Sequence, residues 1–134
     1  ETIHLLQKRY VLRISYAIFG AHSKPLFYKL DILNIYDLCR YQILLFVFKS
    51  INCLLPSRYT NYFTFTKEMY RYQTRSSKDR KLLTATAQRS ARINTLASRG
   101  PKCWNSLPTT IRSSLSQRTF KTSVKAHFLS QYID

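Results

Sequence analysis

The chain has 134 residues, of which 45% are hydrophobic and 14% aromatic, so it can bury the core of one domain and is not a disordered tail. Its 22 Lys and Arg residues against six Asp and Glu give a net charge of +16, which favours a polyanionic partner. Three scattered cysteines without a C-x-x-C pair support neither a zinc site nor a disulfide framework, and we expect them to be core thiols.

Three helices are predicted in the first half of the chain. The first covers residues 4–19, where an apolar face repeats at helical spacing through Ile3, Leu6, Tyr10 and Ile14. Ser23 can cap a second, short helix with Pro25 in its first turn. The third covers residues 35–51, and because residues 43–48 are apolar all round, we expect it at the centre of the domain. A buried β-strand is the alternative for residues 43–48.

The sequence of the second half of the chain predicts less regular structure. We expect a helical turn rich in Tyr and Phe at residues 57–65, and a short strand or extended piece at residues 93–97. The last helix covers residues 117–132 with Ser116 as its N-cap and an apolar stripe of Phe120, Val124 and Phe128. The fold class is therefore mainly α: a small irregular helical domain with a central buried helix, a basic loop and a C-terminal amphipathic helix.

We divide this one domain into three segments. Residues 1–65 are a helical core, residues 66–99 are a basic polar loop or linker, and residues 100–134 pack on the core. The third segment opens with residues 100–108, which hold the only Trp, one of two Gly and two of four Pro. Gly and Pro restrict or redirect the backbone, so we expect a stiff bracket that buries the indole. Its structural anchors are Gly100, Pro101, Trp104, Leu107 and Pro108.

The inventory of catalytic groups is poor. The carboxylates are scattered, and His4, His22 and His127 have no nearby Cys or carboxylate in the sequence. We expect no enzymatic activity, no catalytic residue, no cofactor and no metal site in this chain. The longest apolar run is too short to span a bilayer and no signal peptide is evident, so an intracellular protein, nuclear or cytoplasmic, is expected.

Cations and aromatic residues interleave between residues 59 and 80, a composition that suits nucleic acid because rings stack on bases and cations meet phosphates. Tyr59, Tyr62 and Phe63 are better explained as core. Residues 80–133 contain ten Lys and Arg and no acid, so we expect these cations to lack internal partners. The candidate nucleic-acid-binding residues are Tyr70, Arg71, Tyr72, Arg75, Lys78, Arg80, Lys81, Arg118, Lys121 and Lys125. A solvated basic surface and an anionic membrane surface are the alternatives.

Nine short sequence motifs are spread along the whole chain. They are Leu6-Gln7-Lys8-Arg9, Pro25-Leu26-Phe27, Gln42-Ile43-Leu44, Phe46-Val47-Phe48-Lys49, Leu55-Pro56, Tyr72-Gln73-Thr74-Arg75, Gly100-Pro101 with Trp104-Asn105-Ser106-Leu107-Pro108, Ile111-Arg112 and Phe120-Lys121. This series resembles the region after the polymerase thumb in LINE-type, jockey-like non-LTR retrotransposon reverse transcriptase proteins.

The resemblance implies an RNA-directed DNA polymerase as the parent protein, with its catalytic segment upstream of this region. Because the chain opens on Glu1, we expect a C-terminal fragment or a decayed copy of such a transposable element. The expected function is a non-catalytic, sequence-tolerant RNA- or DNA-binding module beside the upstream polymerase domain. The alternatives are a structural appendage that packs on the thumb and a fragment without function.

Overall fold

The computed structural model describes residues 2–17, 21–69, 79–84 and 94–133. Most of these residues are helical. The α-helices in these ranges are α1 (Thr2–Ile14), α2 (Ser23–Lys29), α3 (Ile35–Ile51), α4 (Thr66–Met69), α5 (Leu96–Ser106), α6 (Thr109–Arg112) and α7 (Gln117–Ser130). A 3-10 turn covers Ser57–Tyr59. One isolated antiparallel bridge joins Phe65 to Leu82. The prediction of a mainly α fold is confirmed.

The two strongest helix predictions agree with the structure at their N-terminal ends. α3 begins at Ile35 because Asn34 caps it: the Asn34 Oδ1 accepts from the backbone N–H of Asp37 at 3.0 Å. α7 begins after Ser116, whose Oγ accepts from the backbone N–H of Thr119 at 3.2 Å. Since α3 runs unbroken to Ile51, the β-strand alternative for residues 43–48 is wrong.

α1, α2 and α3 end in the same way, on a non-glycine residue with positive φ. These residues are Tyr16 (φ 49°), Asp31 (φ 55°) and Cys53 (φ 56°). The next N–H in each case bonds a carbonyl five residues back: Ala17 to Leu12 at 3.1 Å, Ile32 to Phe27 at 3.0 Å and Leu54 to Lys49 at 2.9 Å. α1 therefore ends at Ile14, before the predicted end at residue 19, because the backbone turns left-handed at Tyr16.

The chain divides into two compact units. Unit 1 contains residues 1–41 and 122–134, and unit 2 contains residues 42–121. The predicted division into residues 1–65, 66–99 and 100–134 stays a prediction, although residues 66–69 and 96–99 of the predicted loop are helical.

The apolar face predicted for α1 lies on the solvent side of the helix. Ile3, Leu6, Tyr10 and Ile14 are 45–66% exposed, whereas Val11 is buried in unit 1. The face with Gln7 and Val11 lies inward, because the Gln7 side chain donates to the Leu33 carbonyl and accepts from the Ile35 N–H, both at 2.9 Å. The rest of the unit 1 core is Phe27, Leu33, Val124, Phe128, Leu129 and Tyr132.

The core of unit 2 is built around stacked aromatic rings. The ring centroids of Phe48 and Phe120 are 4.4 Å apart, and those of Trp104 and Phe120 are 5.6 Å apart. All three side chains are fully buried, together with Leu44, Val47 and Leu82. Phe46, Tyr59 and Tyr62 make edge contacts at the margin of this core, where Tyr59 and Tyr62 are exposed rather than buried as predicted.

Residues 100–106 of the predicted stiff bracket are helical. In the piece predicted to be extended at residues 93–97, Thr95 is extended with ψ 155°, whereas Leu96 and Ala97 begin α5. Gly100 and Pro101 lie inside α5, and their buried faces join Trp104 in the core. Pro101 cannot donate a backbone hydrogen bond to Ala97, but the helix forms because its buried face is close-packed. A Cβ at Gly100 would lie 2.8 Å from Phe63 Cε1, so only glycine permits this approach. Pro108 follows the end of the helix, with ψ 148°.

The prediction that the three cysteines lie in the core is wrong. Cys39 and Cys53 are exposed, Cys103 is half-buried, and all three thiols are free. Within the described ranges, no helix combines the length and the apolar character that spanning a membrane requires.

Candidate nucleic-acid interface

Of the predicted basic loop at residues 66–99, the structure describes residues 66–69, 79–84 and 94–99. Tyr70, Arg71, Tyr72, Arg75 and Lys78 lie outside the described residues, so their predicted role stays a prediction.

Arg80 and Lys81 belong to a turn that is held by its backbone. The Arg80 carbonyl accepts a hydrogen bond from the indole Nε1 of Trp104 at 2.9 Å, and the Lys81 carbonyl accepts from the N–H of Thr66 at 3.0 Å. The Asn105 side chain bonds both backbone groups of Leu82, at 2.9 and 2.8 Å. These hydrogen bonds fix the backbone of residues 80–82 and leave the Arg80 and Lys81 side chains partly exposed.

The expectation that the cations after residue 79 lack internal partners is wrong for Lys81 and Arg112, both of which contact Asp79. Lys81 Nζ lies 3.9 Å from the Asp79 carboxylate. Arg112 is only 4% exposed, and its Nη1 donates to the Asp79 carbonyl at 2.6 Å. Arg112 is therefore part of the turn's support and cannot contact a phosphate.

The predicted cationic stripe on α7 is divided between two environments. Arg118 and Lys121 are exposed and belong to unit 2. Lys125 belongs to unit 1, is half-buried, and its ammonium contacts the Asp31 carboxylate. Lys125 therefore already has an anionic partner in the fold, and its role as a phosphate-binding residue stays a prediction.

Among the described cations of unit 2 that the predicted binding residues leave out, two share one helix. Arg99 and Lys102 lie on the exposed face of α5, opposite the buried Gly100, Pro101 and Trp104. A loop followed by a bracket, as predicted for this segment, has no helical face on which to place them. The described part of unit 2 carries ten Lys and Arg residues and two carboxylates, Glu68 and Asp79.

Unit 1 contains a cavity of about 330 Å³ that sequence reasoning missed. Its walls come from α1, α2 and α3, and the residues that give it chemical character are His4, Lys8, Lys24, Phe27, Tyr36 and Arg40. The His4 and Tyr36 rings are tilted against each other at a centroid distance of 5.0 Å, and the Tyr36 side chain is 53% exposed.

A buried polar network supports this cavity. Tyr132 lines the cavity, and its hydroxyl donates to the Asp37 carboxylate at 2.7 Å and accepts from the Asn34 N–H at 3.1 Å. Arg40 Nη1 lies 3.5 Å from the same carboxylate. Burial, and after it the hydrogen bond to Asp37, raises the pKa of Tyr132 well above its usual value of 10.0. The network therefore holds Tyr132 protonated and Arg40 close to the cavity.

No cluster of three or more His, Cys, Asp or Glu side chains suited to a metal ion occurs in the described ranges. His22 is exposed in the segment before α2. Comparison with protein-family models, with curated proteins and with solved structures finds no match for this chain.

Proposed function

We propose that this chain is a non-catalytic module that binds single-stranded RNA or DNA through its phosphates, with little preference for sequence. The observation that carries the proposal is the cation excess of unit 2, ten Lys and Arg residues against two carboxylates in its described part. A strand of phosphates is the polyanion that such a surface attracts most strongly.

The exposed position of several of these cations supports the proposal. Arg99, Lys102 and Lys121 are all exposed, so binding a phosphate costs little desolvation and releases the counterions of the strand. They project from α5 and α7, whose buried faces meet in the Trp104–Phe120 stack. Helices of this kind fix the backbone from which the cations extend, so binding does not have to order the backbone as well.

The origin of the chain belongs to the same proposal. We propose an intracellular module from the C-terminal region of a LINE-type reverse transcriptase protein, on the resemblance of its ordered sequence motifs. On this proposal its neighbour is the upstream polymerase domain, which carries the chemistry.

The test is a binding titration of the whole chain with two unrelated single-stranded RNAs and the corresponding DNAs, followed by fluorescence anisotropy at low salt. We expect similar affinities for both sequences, and an affinity that falls steeply as salt increases. Tight binding to one RNA only, or no binding to any strand at low salt, would refute the proposal.

A packing appendage is the second candidate function, and the exposed side chains of α1 favour it. Ile3, Leu6, Tyr10 and Ile14 form one apolar stripe on the solvent side of the helix. Contiguous exposed apolar surface is typical of docking sites. If this function is correct, the chain alone should self-associate, and Leu6→Lys with Tyr10→Lys should restore a monomer in analytical ultracentrifugation.

A further inference from the structure

We infer that the cavity of unit 1 binds one nucleotide, with its phosphate beside Lys8, Lys24 and Arg40 and its base against the Tyr36 ring. The choice of a nucleotide as the ligand rests on the proposed function, which concerns the exposed cations of unit 2, whereas the cavity lies in unit 1.

The cavity has the size of a small-ligand site. Its volume of about 330 Å³ lies at the lower end of the roughly 300–1,000 Å³ that such sites occupy. It is too small for a helix or a folded segment and suits a ligand of one base, one sugar and one phosphate.

The charge of the cavity selects an anion. Lys8, Lys24 and Arg40 come from three different helices, and no carboxylate lies among its described lining residues. The nearest carboxylate in the network, Asp37, is buried and already accepts from Tyr132 and Asn34. Arg40 is therefore positioned by Asp37 while its side chain remains 55% exposed, so its other N–H groups can bind phosphate oxygens.

The aromatic walls select a nucleotide over a bare phosphate ion. Tyr36 offers a half-exposed ring, and Phe27 supplies an apolar wall. The His4 ring also lines the cavity, and its Nδ1 is buried without a hydrogen-bond partner among the described residues. Stacking on an aromatic ring accepts any base, which agrees with binding that tolerates sequence.

The experiment is an NMR titration of the whole chain with uridine 5′-monophosphate, uridine and inorganic phosphate, observing the Tyr36 ring and the Lys24 amide. We expect uridine 5′-monophosphate to shift these signals at lower concentration than either of the other two probes. Tyr36→Ala should weaken its binding on the order of tenfold, and Lys24→Ala should weaken it as well. Lys29→Ala removes an exposed cation from the same helix outside the cavity and should change nothing.

A thermal melt of each variant checks that the fold is retained, and Tyr36→Phe, which keeps the ring, should bind nearly as the parent does. If single-stranded oligouridylate displaces uridine 5′-monophosphate from the cavity, the natural ligand is a nucleotide within a strand. If it does not, the natural ligand is a free nucleotide. Equal binding of uridine and uridine 5′-monophosphate, or equal losses in Lys24→Ala and Lys29→Ala, would overturn the inference. Loss of strand binding with retained nucleotide binding would instead refute only the proposed function.

Discussion

The indole Nε1 of Trp104 donates a hydrogen bond to the backbone carbonyl of Arg80 across 24 residues of sequence, at 2.9 Å. The indole is 1% exposed and stacks on Phe120, so one side chain joins the turn at residues 80–82 to the aromatic core of unit 2. This arrangement explains why the only Trp of the chain lies in α5. Trp104 therefore stabilises unit 2 in two ways, by the packing of its ring and by the hydrogen bond of its N–H, and substitutions can measure the two contributions separately.

Trp104→Ala should lower the free energy of unfolding by about 3–5 kcal/mol, as large aromatic truncations in cores do. Trp104→Phe keeps a ring against Phe120 and leaves the Arg80 carbonyl without its donor, so we expect a smaller loss of about 1–3 kcal/mol. Urea unfolding of both variants measures the two energies. A Trp104→Ala protein that unfolds like the parent and loses RNA binding would show instead that the indole binds the ligand directly.

Gly100→Ala should destabilise unit 2 by about 1–2 kcal/mol, despite the higher helix propensity of Ala, because its Cβ would meet the Phe63 ring and Val47 Cγ2. Phe63→Leu removes the ring atoms that the new methyl group would meet. The double variant should therefore be less destabilised than the sum of the two single variants. Strict additivity in urea unfolding would show that the close approach of α5 has no energetic importance.

Stability should fall at alkaline pH through Tyr132. Its pKa is raised in the folded chain by burial and by the hydrogen bond to Asp37, so its stabilising contribution is complete below a pH of about 10 and is lost as the pH rises above that value. Tyr132→Phe should lower stability at neutral pH and make the alkaline decline shallower. Burial also raises the pKa of Tyr41, which leaves a residual decline in both proteins. Identical pH profiles in urea unfolding would contradict this account.

The left-handed residue after α3 gives a prediction with a matched control. Cys53 has a φ of 56°, which glycine adopts without strain, so Cys53→Gly should raise the free energy of unfolding by about 0.5–1 kcal/mol. Cys39 is also exposed but lies inside α3, where the same change should lower the free energy of unfolding by about 0.3–0.5 kcal/mol, the difference in helix propensity between Cys and Gly. Equal effects of the two substitutions on the thermal melt would mean that backbone strain at Cys53 is negligible.

Periodicity and capping residues predict part of this fold well. α3 is predicted closely because of its long apolar run, and α7 because Ser116 precedes apolar residues at helical spacing. α5 is not, because Gly100 and Pro101 disfavour a helix locally and only the packing of its buried face against Phe63 and Val47 offsets that cost. The inward face of α1 depends on Gln7, whose two backbone partners lie 26 and 28 residues away.

The candidate sites depend even more on residues that are distant in sequence. Lys125 meets Asp31 across 94 residues, and Arg112 meets Asp79 across 33, so a count of cations in sequence cannot show which of them are already engaged. The cavity of unit 1 likewise combines Lys8, Lys24 and Arg40 from three helices. No short motif indicates such a site, and only the folded arrangement reveals it.

The most direct test of the proposed binding is its salt dependence in a variant with Arg99, Lys102 and Lys121 all replaced by Gln. If these exposed cations bind phosphates, the slope of log K against log salt should become shallower by about 2 units, from about 0.7 for each phosphate no longer neutralised on a single strand. Lys125→Gln, at a cation already paired with Asp31, should leave the slope nearly unchanged. An unchanged slope in the triple variant, or an equal change in Lys125→Gln, would contradict the claim that the exposed cations of unit 2 bind the strand.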